Sequence, residues 1–210
     1  MQQPWQPLLD WWFGAAGCGA VGCGSGVTAA EVAASRTALW FGKQDRQDEQ
    51  AREQFGARVE QALAGQLQDW QGEPEGWLAN ILLLDQLPRM IFRDTPRAFA
   101  GDALARPLAL HGLTRAWDQQ LRPIQRVFAY LVLEHAEDLA LQNQAVQLFQ
   151  RLHEQAASAE RELFAGYLDY AERHQRVIAR FGRFPHRNQI LGRTSSADES
   201  AFLLEPGSRF

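Results

Sequence analysis

The stretch WLANILLLDQLPRMIF, residues 77–92, carries the clearest indication of fold class in the sequence. It is almost wholly apolar, it is long enough for about four turns of helix, and it lacks the alternation of apolar and polar residues that marks a half-buried strand. Its composition and length therefore predict a buried helix over 77–92. Pro88 lacks the backbone N–H that a helix interior uses, so we expect a bend beside Asp85 and Arg89.

The same periodicity continues on both sides of this stretch. Apolar residues recur at three- and four-residue spacing, and sustained alternation with β-branched residues is missing. Thr28 with Glu31, and Ser196 with Glu199, match the capping box that opens a helix. We predict an all-α protein of about 8–10 helices, joined by short connections and packed as antiparallel pairs. The expected helices lie near 8–13, 28–41, 45–64, 77–92, 96–111 (interrupted or kinked by Pro107), 123–135, 138–156, 159–181 and just after 196.

Length and charge restrict the number of domains and the kinds of binding partner. A chain of 210 residues fits one helical domain, 1–210, and no low-complexity linker divides it except a Gly-rich loop or insertion at about 14–27. The net charge of −4 argues against nucleic-acid binding through a globally basic surface. Neither a signal peptide nor an apolar run of membrane-spanning length is present, so we expect a cytoplasmic protein without membrane contact.

The Gly-rich segment contains two patterns that could carry chemistry. Gly17, Gly19 and Gly22 match the spacing of a dinucleotide-binding fingerprint, but a helix rather than a strand precedes them, so we favour a loop. Cys18 and Cys23 are too few to build a zinc site, which needs four ligands. The sequence thus predicts no metal and no cofactor.

Polar residues interrupt the apolar helix at its bend. Asp85 and Arg89 are spaced i, i+4 and can pair, Gln86 adjoins them, and Arg93 extends the same face by one turn. A buried ion pair that satisfies itself and a pair that contacts a ligand are both compatible with this pattern, because burial of charge costs free energy unless it is compensated.

The stretch EHAED, residues 134–138, combines three carboxylates with an imidazole. On one helix His135, Asp138 and Gln142 would share a face, and Glu137 would point elsewhere. This group could ligate a metal, perform acid–base chemistry or orient a neutral His135 through a carboxylate, and the absence of a second cluster of ligands disfavours the metal. His135 and Asp138 are the candidate catalytic residues.

Six arginines and no acidic residue occur between positions 173 and 197. Those nearest the carboxyl terminus lie in an irregular segment that Phe181, Phe184 and Pro185 should anchor to the body. Arginine suits bidentate recognition of phosphate or carboxylate, so an anchored cluster can bind an anion or pair with acidic side chains. We expect it to form one electrostatic network with Asp85/Arg89 and His135/Asp138. The candidate ligand-binding residues of this segment are Arg180, Arg183, His186, Arg187 and Asn188.

At these motifs the chain resembles the bacterial family called domain of unknown function 924, from Leu8 almost to Phe210. The resemblance rests on DWWFG (10–14), WF (40–41), LLLDQLPR (82–89), EHAED (134–138) with Gln142, and RFGRFPHRN (180–188) with LGR (191–193). The family has Phe, Asn and Ser where this chain has Leu87, Met90 and Ala136. The resemblance implies a tetratricopeptide-like, right-handed stack of helices, and it brings no established activity.

Three functions remain open on these residues. The first is a binding protein whose polar, Arg-rich pocket holds an anionic small molecule or an acidic peptide. The second is a scaffold that binds protein partners, in which the Arg, Asp and His motifs form an internal salt-bridge network. The third is an enzyme, a hydrolase or transferase, that uses His135 and Asp138; no nucleophile with a base at recognisable spacing supports it.

Overall fold

A computed structural model describes residues 3–14 and 26–208, and within these residues the secondary structure is helical, without strands. The predicted all-α class is confirmed, and the α-helices of this part of the chain fall within the expected number. They are α1 (Gln6–Phe13), α2 (Ala29–Phe41), α3 (Asp45–Leu63), α4 (Pro74–Ile81), α5 (Leu87–Ile91), α6 (Asp102–Thr114), α7 (Pro123–Glu134), α8 (Leu139–Gln155), α9 (Arg161–Phe181) and α10 (Ala197–Phe202).

Helix ends follow the local chemistry of the sequence. Thr28 and Ser196 both form complete capping boxes, in which the hydroxyl accepts a backbone N–H and the glutamate three residues later accepts the N–H of the cap. Gly14 and Gly182 end α1 and α9 with φ of 80° and 70°. Glycine adopts these angles without the steric cost that a Cβ imposes.

The apolar helix changes register at Asp85 and does not stop there. A π-helical turn, Leu82–Gln86, joins α4 to α5, and the N–H of Leu87 donates to the carbonyl of Leu82, five residues back. Pro88 has no N–H with which to reach the carbonyl of Leu84. That carbonyl instead packs on Gly101, where a Cβ would lie 2.0 Å from its oxygen. The predicted bend is therefore a π-bulge, a feature often found at functional sites.

The expected helix at 96–111 is two elements. A 3₁₀ turn, Pro96–Phe99, precedes α6, which begins at Asp102 and runs to Thr114 with Pro107 inside it. The close approach of Gly101 to the π-bulge separates the two elements, because the chain must pass within contact distance of the carbonyl of Leu84. As a result Phe99 and Asp102 face the same region as Asp85.

Aromatic side chains fix the position of α7 in the core. Phe128 of α7 contacts Trp12, Phe13 and Trp40 edge to face, with ring centroids 5.3, 5.4 and 4.8 Å apart. The indole N–H of Trp40 donates to the carbonyl of Trp12 at 2.9 Å. Such pairs add to the free energy of burial and restrict the helix to one rotation about its axis. Its last residue, Glu134, is therefore buried on the side of α9.

Consecutive helices pack on one another along the second half of the chain, α7 on α8 and α8 on α9. The right-handed, tetratricopeptide-like stack stays a prediction. In the described part of the chain no helix is long and apolar enough to cross a membrane. The expectations for the Gly-rich segment, including Gly17, Gly19, Gly22, Cys18 and Cys23, fall outside the described residues.

Candidate functional site

A cavity of about 320 Å³ opens where the π-bulge, α6, the end of α7 and the segment after α9 meet. Its size is at the lower end of the range for small-molecule sites. Charged side chains from four separate parts of the sequence reach it. The cavity is lined by Asp85, Phe99, Asp102, Arg106, Val132, His135, Ala136, Glu137, Arg187 and Leu191.

His135 and Asp85 form a dyad at the wall of this cavity. Nδ1 of His135 lies 2.8 and 2.9 Å from the two carboxylate oxygens of Asp85, a residue 50 positions away in sequence. Burial disfavours ionisation of Asp85, but Arg89 and His135 together hold the pKa of its carboxyl well below its usual range. Burial lowers the pKa of His135, against the opposing effect of Asp85. A neutral imidazole facing an ionised carboxylate donates its Nδ1–H and keeps a lone pair on Nε2.

Arg89 and Asp102 extend the dyad on the side of α6. Nη1 of Arg89 lies 3.1 Å from the carboxylate of Asp85 and 2.9 Å from that of Asp102, and it also donates to the backbone carbonyl of Asp85 at 2.6 Å. Gln86 donates to the carboxylate of Asp85 at 2.6 Å. The Asp85 carboxylate is thus held from three directions, which fixes the orientation of the His135 ring.

Arg187 completes the wall from the far end of the chain. Its guanidinium lies between the rings of Phe99 and Phe184, 4.9 and 4.4 Å from their centroids, and only 6% of the residue is exposed. Nη1 donates to the carbonyl of His135 at 3.1 Å and lies 3.6 Å from the carboxylate of Asp102. Neither Nε nor Nη2 makes a hydrogen bond within the described residues. Burial, and then Arg89, lower the pKa of Arg187 to about 10.

The charges around the cavity do not balance. The lining holds three carboxylates and two guanidinium groups, and two further arginines pair with those carboxylates from outside the lining. With His135 neutral, this whole group has one positive charge in excess. Buried excess charge raises the free energy of the folded protein unless a counter-charge binds. The carboxylates are Asp85, Asp102 and Glu137, and the guanidinium groups are Arg89, Arg106, Arg187 and Arg193.

A second polar layer lies behind His135. The Glu134 carboxyl is 3.1 Å from Nδ1 of His174, which also lies 2.8 Å from the carbonyl of Tyr170. Burial, and then the charge of Asp85, raise the pKa of Glu134 to about 8, while burial lowers the pKa of His174 to about 3. Both side chains are therefore neutral near pH 7, and the layer adds no charge next to the dyad.

Asp138 does not orient His135, contrary to the sequence-based expectation. Helix α7 ends at Glu134 and α8 begins at Leu139, so His135, Asp138 and Gln142 do not share one helical face. The carboxylate of Asp138 caps α8, accepting the N–H groups of Ala140 and Leu141 at 2.8 and 3.1 Å. Gln142 donates to the carbonyls of Glu134 and Ala136, which ties α8 to the end of α7.

Glu137 was expected to point away from His135, yet it lines the cavity. It accepts hydrogen bonds from both terminal nitrogens of Arg193, at 2.6 and 2.9 Å, and from the backbone N–H of Phe184 at 2.8 Å. The turn between α7 and α8 removes the helical geometry on which the expectation relied. Glu137 therefore anchors the Arg-rich segment next to the cavity.

The remaining candidate residues lie outside the cavity wall. Arg93 pairs with Asp48 of α3 at 2.6 Å, and Arg183 pairs with Glu199 of α10 at 2.6 Å. Arg180 stacks on Phe181 and Phe202, Asn188 bonds to Ser195 and Arg193, and the His186 ring contacts Phe184. Of the twelve candidate residues, the structure thus brings Asp85, Gln86, Arg89, His135 and Arg187 together at the cavity.

Sequence reasoning missed Phe99, Asp102 and Arg106. Asp102 binds Arg89, and Arg106 donates to the backbone carbonyl of Asp102 at 3.2 Å. No motif marks these residues, because their place at the cavity depends on the break at Gly101 and not on their own spacing. Among the described residues, no group of three or more His, Cys, Asp and Glu is arranged to hold a metal ion.

Comparison with known proteins places the chain among bacterial proteins without an assigned activity. The family described as "Bacterial protein of unknown function (DUF924)" matches residues 8–207. A solved structure of a protein of unknown function from Agrobacterium tumefaciens is 36% identical, with a TM-score of 0.71, and the match covers 84% of this chain and 99% of that one. No curated protein matches the chain.

Proposed function

The chain belongs to the bacterial protein family of unknown function DUF924, and from its cavity we propose that it binds a small anionic molecule through Arg187. The observation that carries this proposal is the state of the Arg187 guanidinium, which is buried while Nε and Nη2 make no hydrogen bond within the described residues. Phosphate and carboxylate oxygens match the spacing of guanidinium donors and would supply the missing acceptors.

The surroundings of Arg187 support an anion over a neutral ligand. The charged groups in and around the cavity have one positive charge in excess, and Arg106 extends from α6 onto the same wall as Arg187. Two phenyl rings hold the Arg187 guanidinium in place, so little side-chain entropy is lost when a ligand binds. A volume of about 320 Å³ suits a small molecule better than an acidic peptide, which needs an open groove.

The scaffold function is favoured by a different set of arginines. Arg183 and Arg193 each form two hydrogen bonds to one carboxylate, at 2.6 to 2.9 Å, and need no ligand to satisfy them. These pairs fix the segment after α9 against the body of the protein. We infer that the Arg183 and Arg193 pairs stabilise the fold and that Arg187 binds the ligand.

Thermal unfolding in the presence of anions tests the proposal. Inorganic phosphate, acetate and citrate are compared with sodium chloride at equal ionic strength, because chloride reports screening alone. A ligand at a hundredfold excess over its dissociation constant stabilises by about 2.7 kcal/mol, which for this chain length raises Tm by roughly 5–10 °C. At least one of the three anions is expected to produce such a shift in wild type.

Two arginine variants decide where the anion binds. Arg187→Met removes the guanidinium and keeps an apolar side chain of similar length, so the shift should disappear. Arg180→Met is the matched control, since Arg180 lies in the same basic segment but stacks on Phe181 and Phe202 outside the cavity. It should keep the shift. An anion shift that survives Arg187→Met, or no shift with any anion, would contradict the proposal.

A further inference from the structure

The Asp85–His135 dyad presents a nucleophile to the proposed anion site. Asp85 accepts the Nδ1–H of His135, so the lone pair of the ring is on Nε2. Nε2 makes no hydrogen bond within the described residues, and 16% of the His135 side chain is exposed at the cavity that the ring lines. An unprotonated imidazole nitrogen held in one orientation can attack an electrophilic centre or accept a proton.

The other residues of the cavity wall restrict which of these roles is available. None of the described lining residues carries a hydroxyl or a thiol, so no side chain is present that His135 could activate as a base. His135 is therefore the group on this wall that can itself form a covalent bond with a ligand. Nearby carboxylates are engaged, Asp102 with Arg89 and Glu137 with Arg193.

The arginines determine which electrophile fits. Arg187 donates to the backbone carbonyl of His135 itself, at 3.1 Å, so its guanidinium and the imidazole border the same space. Arg106 lines that space as well. In phosphoryl transfer the negative charge is spread over three oxygens, and catalysis consists mainly of neutralising that charge and placing the nucleophile. Two guanidinium groups beside an unprotonated imidazole meet both needs.

We propose that Nε2 of His135 is a nucleophile that accepts a phosphoryl group from a small phosphorylated ligand, which deepens and rests on the proposed anion binding at Arg187. The lone pair of Nε2 forms a bond to phosphorus, and the bond from phosphorus to the leaving group breaks. The leaving group retains that electron pair and takes a proton from solvent. The Nδ1 proton remains hydrogen-bonded to Asp85, whose negative charge stabilises the phosphorylated imidazolium.

Release of the phosphoryl group follows the same path in reverse with water. A water molecule attacks phosphorus, the N–P bond breaks, and its electron pair returns to Nε2. Inorganic phosphate leaves, and His135 regains its starting state. His135 is the catalytic residue, and Asp85 is a positioning residue, since it acts through the imidazole without touching the ligand.

Potassium phosphoramidate is the probe, because it transfers its phosphoryl group to unprotonated imidazoles and releases ammonia. The full-length protein is incubated with it at neutral pH, and the product is measured by intact mass spectrometry and ³¹P NMR, which distinguishes the Nε2 from the Nδ1 isomer. Wild type is expected to gain one phosphoryl group, on Nε2 of His135. His111→Asn, which removes an exposed imidazole on α6, should label at the wild-type rate.

Three variants test the roles assigned to the residues. His135→Asn should abolish labelling. Arg187→Met should slow it by roughly 10²–10³-fold, the effect of removing one charge-stabilising donor. Asp85→Asn should slow it by up to about 10⁴-fold and shift labelling from Nε2 towards Nδ1, a change of isomer that a merely structural role of Asp85 would not produce.

The outcomes separate this inference from the proposed function. If phosphate raises Tm in wild type but phosphoramidate leaves His135 unlabelled, the nucleophile is disproved and anion binding stands. If His135→Asn is labelled at the wild-type rate, another histidine reacts and the inference is wrong. A rate unaffected by Arg187→Met contradicts it as well, because Arg187 would then not stabilise the transferred group. Labelling of Nε2 that depends on both His135 and Arg187 supports it, and absence of both labelling and anion stabilisation overturns both proposals.

Discussion

Two groups of arginines in the same basic segment are used in opposite ways. On the outer side, Arg183 and Arg193 lie in bidentate pairs with Glu199 and Glu137, and Arg193 also donates to the carbonyl of Phe184. On the cavity side, Arg187 is more buried than either, yet most of its donors are unused. We call the first group the outer lattice and the second, with His135 and Asp85, the cavity cluster.

This difference in pairing indicates that the outer lattice stabilises the fold and that the cavity cluster serves function. In the outer lattice every charge has a partner at hydrogen-bond distance, so the pairs hold the segment after α9 in place. In the cavity cluster the charges are desolvated and the Arg187 guanidinium has donors without acceptors, which raises the free energy of the folded state. Functional sites commonly carry such unfavourable arrangements, and replacing their residues often leaves stability unchanged or increases it.

The largest effect should come from the outer lattice. Glu137→Ala removes the carboxylate that accepts hydrogen bonds from Arg193 and from the N–H of Phe184, and leaves the Arg193 charge without its partner. Breaking one side of a largely buried pair should lower the free energy of unfolding by about 3 kcal/mol, measured by urea denaturation. A loss below about 1 kcal/mol would mean that the outer lattice does not hold the segment.

A smaller, pH-dependent effect should come from the buried acid behind the cavity cluster. Glu134 keeps its proton in the folded protein up to about pH 8, whereas the unfolded chain releases it near the usual pKa of about 4.5. The unfolded state therefore binds fewer protons between these values, and this group makes stability fall as pH rises through that range. Glu134→Gln should remove the fall and be more stable than wild type by about 2 kcal/mol at pH 8.

Denaturation curves of wild type and Glu134→Gln at pH 5, 6, 7 and 8 provide the measurement. The difference in unfolding free energy should widen steadily with pH. Parallel pH profiles for the two proteins would show that burial does not raise the pKa of Glu134 in the folded protein.

A change close to zero is expected at Arg187. Arg187→Met removes a desolvated cation and retains apolar contact with Phe99 and Phe184, so the free energy of unfolding should change by less than about 1 kcal/mol or increase. The same denaturation assay applies, with Glu137→Ala as the reference for a lost ion pair. A loss of unfolding free energy as large as that of Glu137→Ala would show that Arg187 stabilises the fold as the outer lattice does.

The smallest effect is expected far from both groups. Arg97 and Glu60 form an ion pair at 2.6 Å, but each side chain is more than half exposed. Solvent screens such pairs, so Arg97→Gln should cost about 0.5 kcal/mol or less. The distance in this pair equals that between Arg193 and Glu137, and the two pairs differ in exposure. A loss of unfolding free energy near 3 kcal/mol for Arg97→Gln would show that the burial of an ion pair does not decide how much it stabilises the protein.

Much of the secondary structure could be predicted because helix starts and stops are local. The capping boxes at Thr28 and Ser196 and the glycine at 182 each depend on contacts within a few residues. The exceptions have equally specific causes. The π-bulge at Leu82–Gln86 and the break before Asp102 are in contact, since the carbonyl of Leu84 that Pro88 leaves without a donor packs on Gly101.

The candidate site was predictable in its residue types and not in its pairings. Asp85 stood out because it interrupts an apolar helix, His135 because it lies among three carboxylates, and Arg187 because its basic segment contains aromatic residues. The partner of His135 did not, because Asp138 is near in sequence whereas Asp85 is 50 residues away. Asp138 instead caps α8, a local role that competes with any longer-range contact.

The all-α class, the main helix boundaries and the set of charged residues that could form a site were all predictable from the order of residues along the chain. Hydrophobic periodicity, helix caps and helix-breaking residues act over one or two turns, so they can be identified from the sequence. That Arg187 lines a cavity, while Arg183 and Arg193 are paired outside it, follows from the packing of the helices. Those roles depend on how α6, α7 and the segment after α9 cross, and side-chain neighbours across such crossings are set by packing in three dimensions.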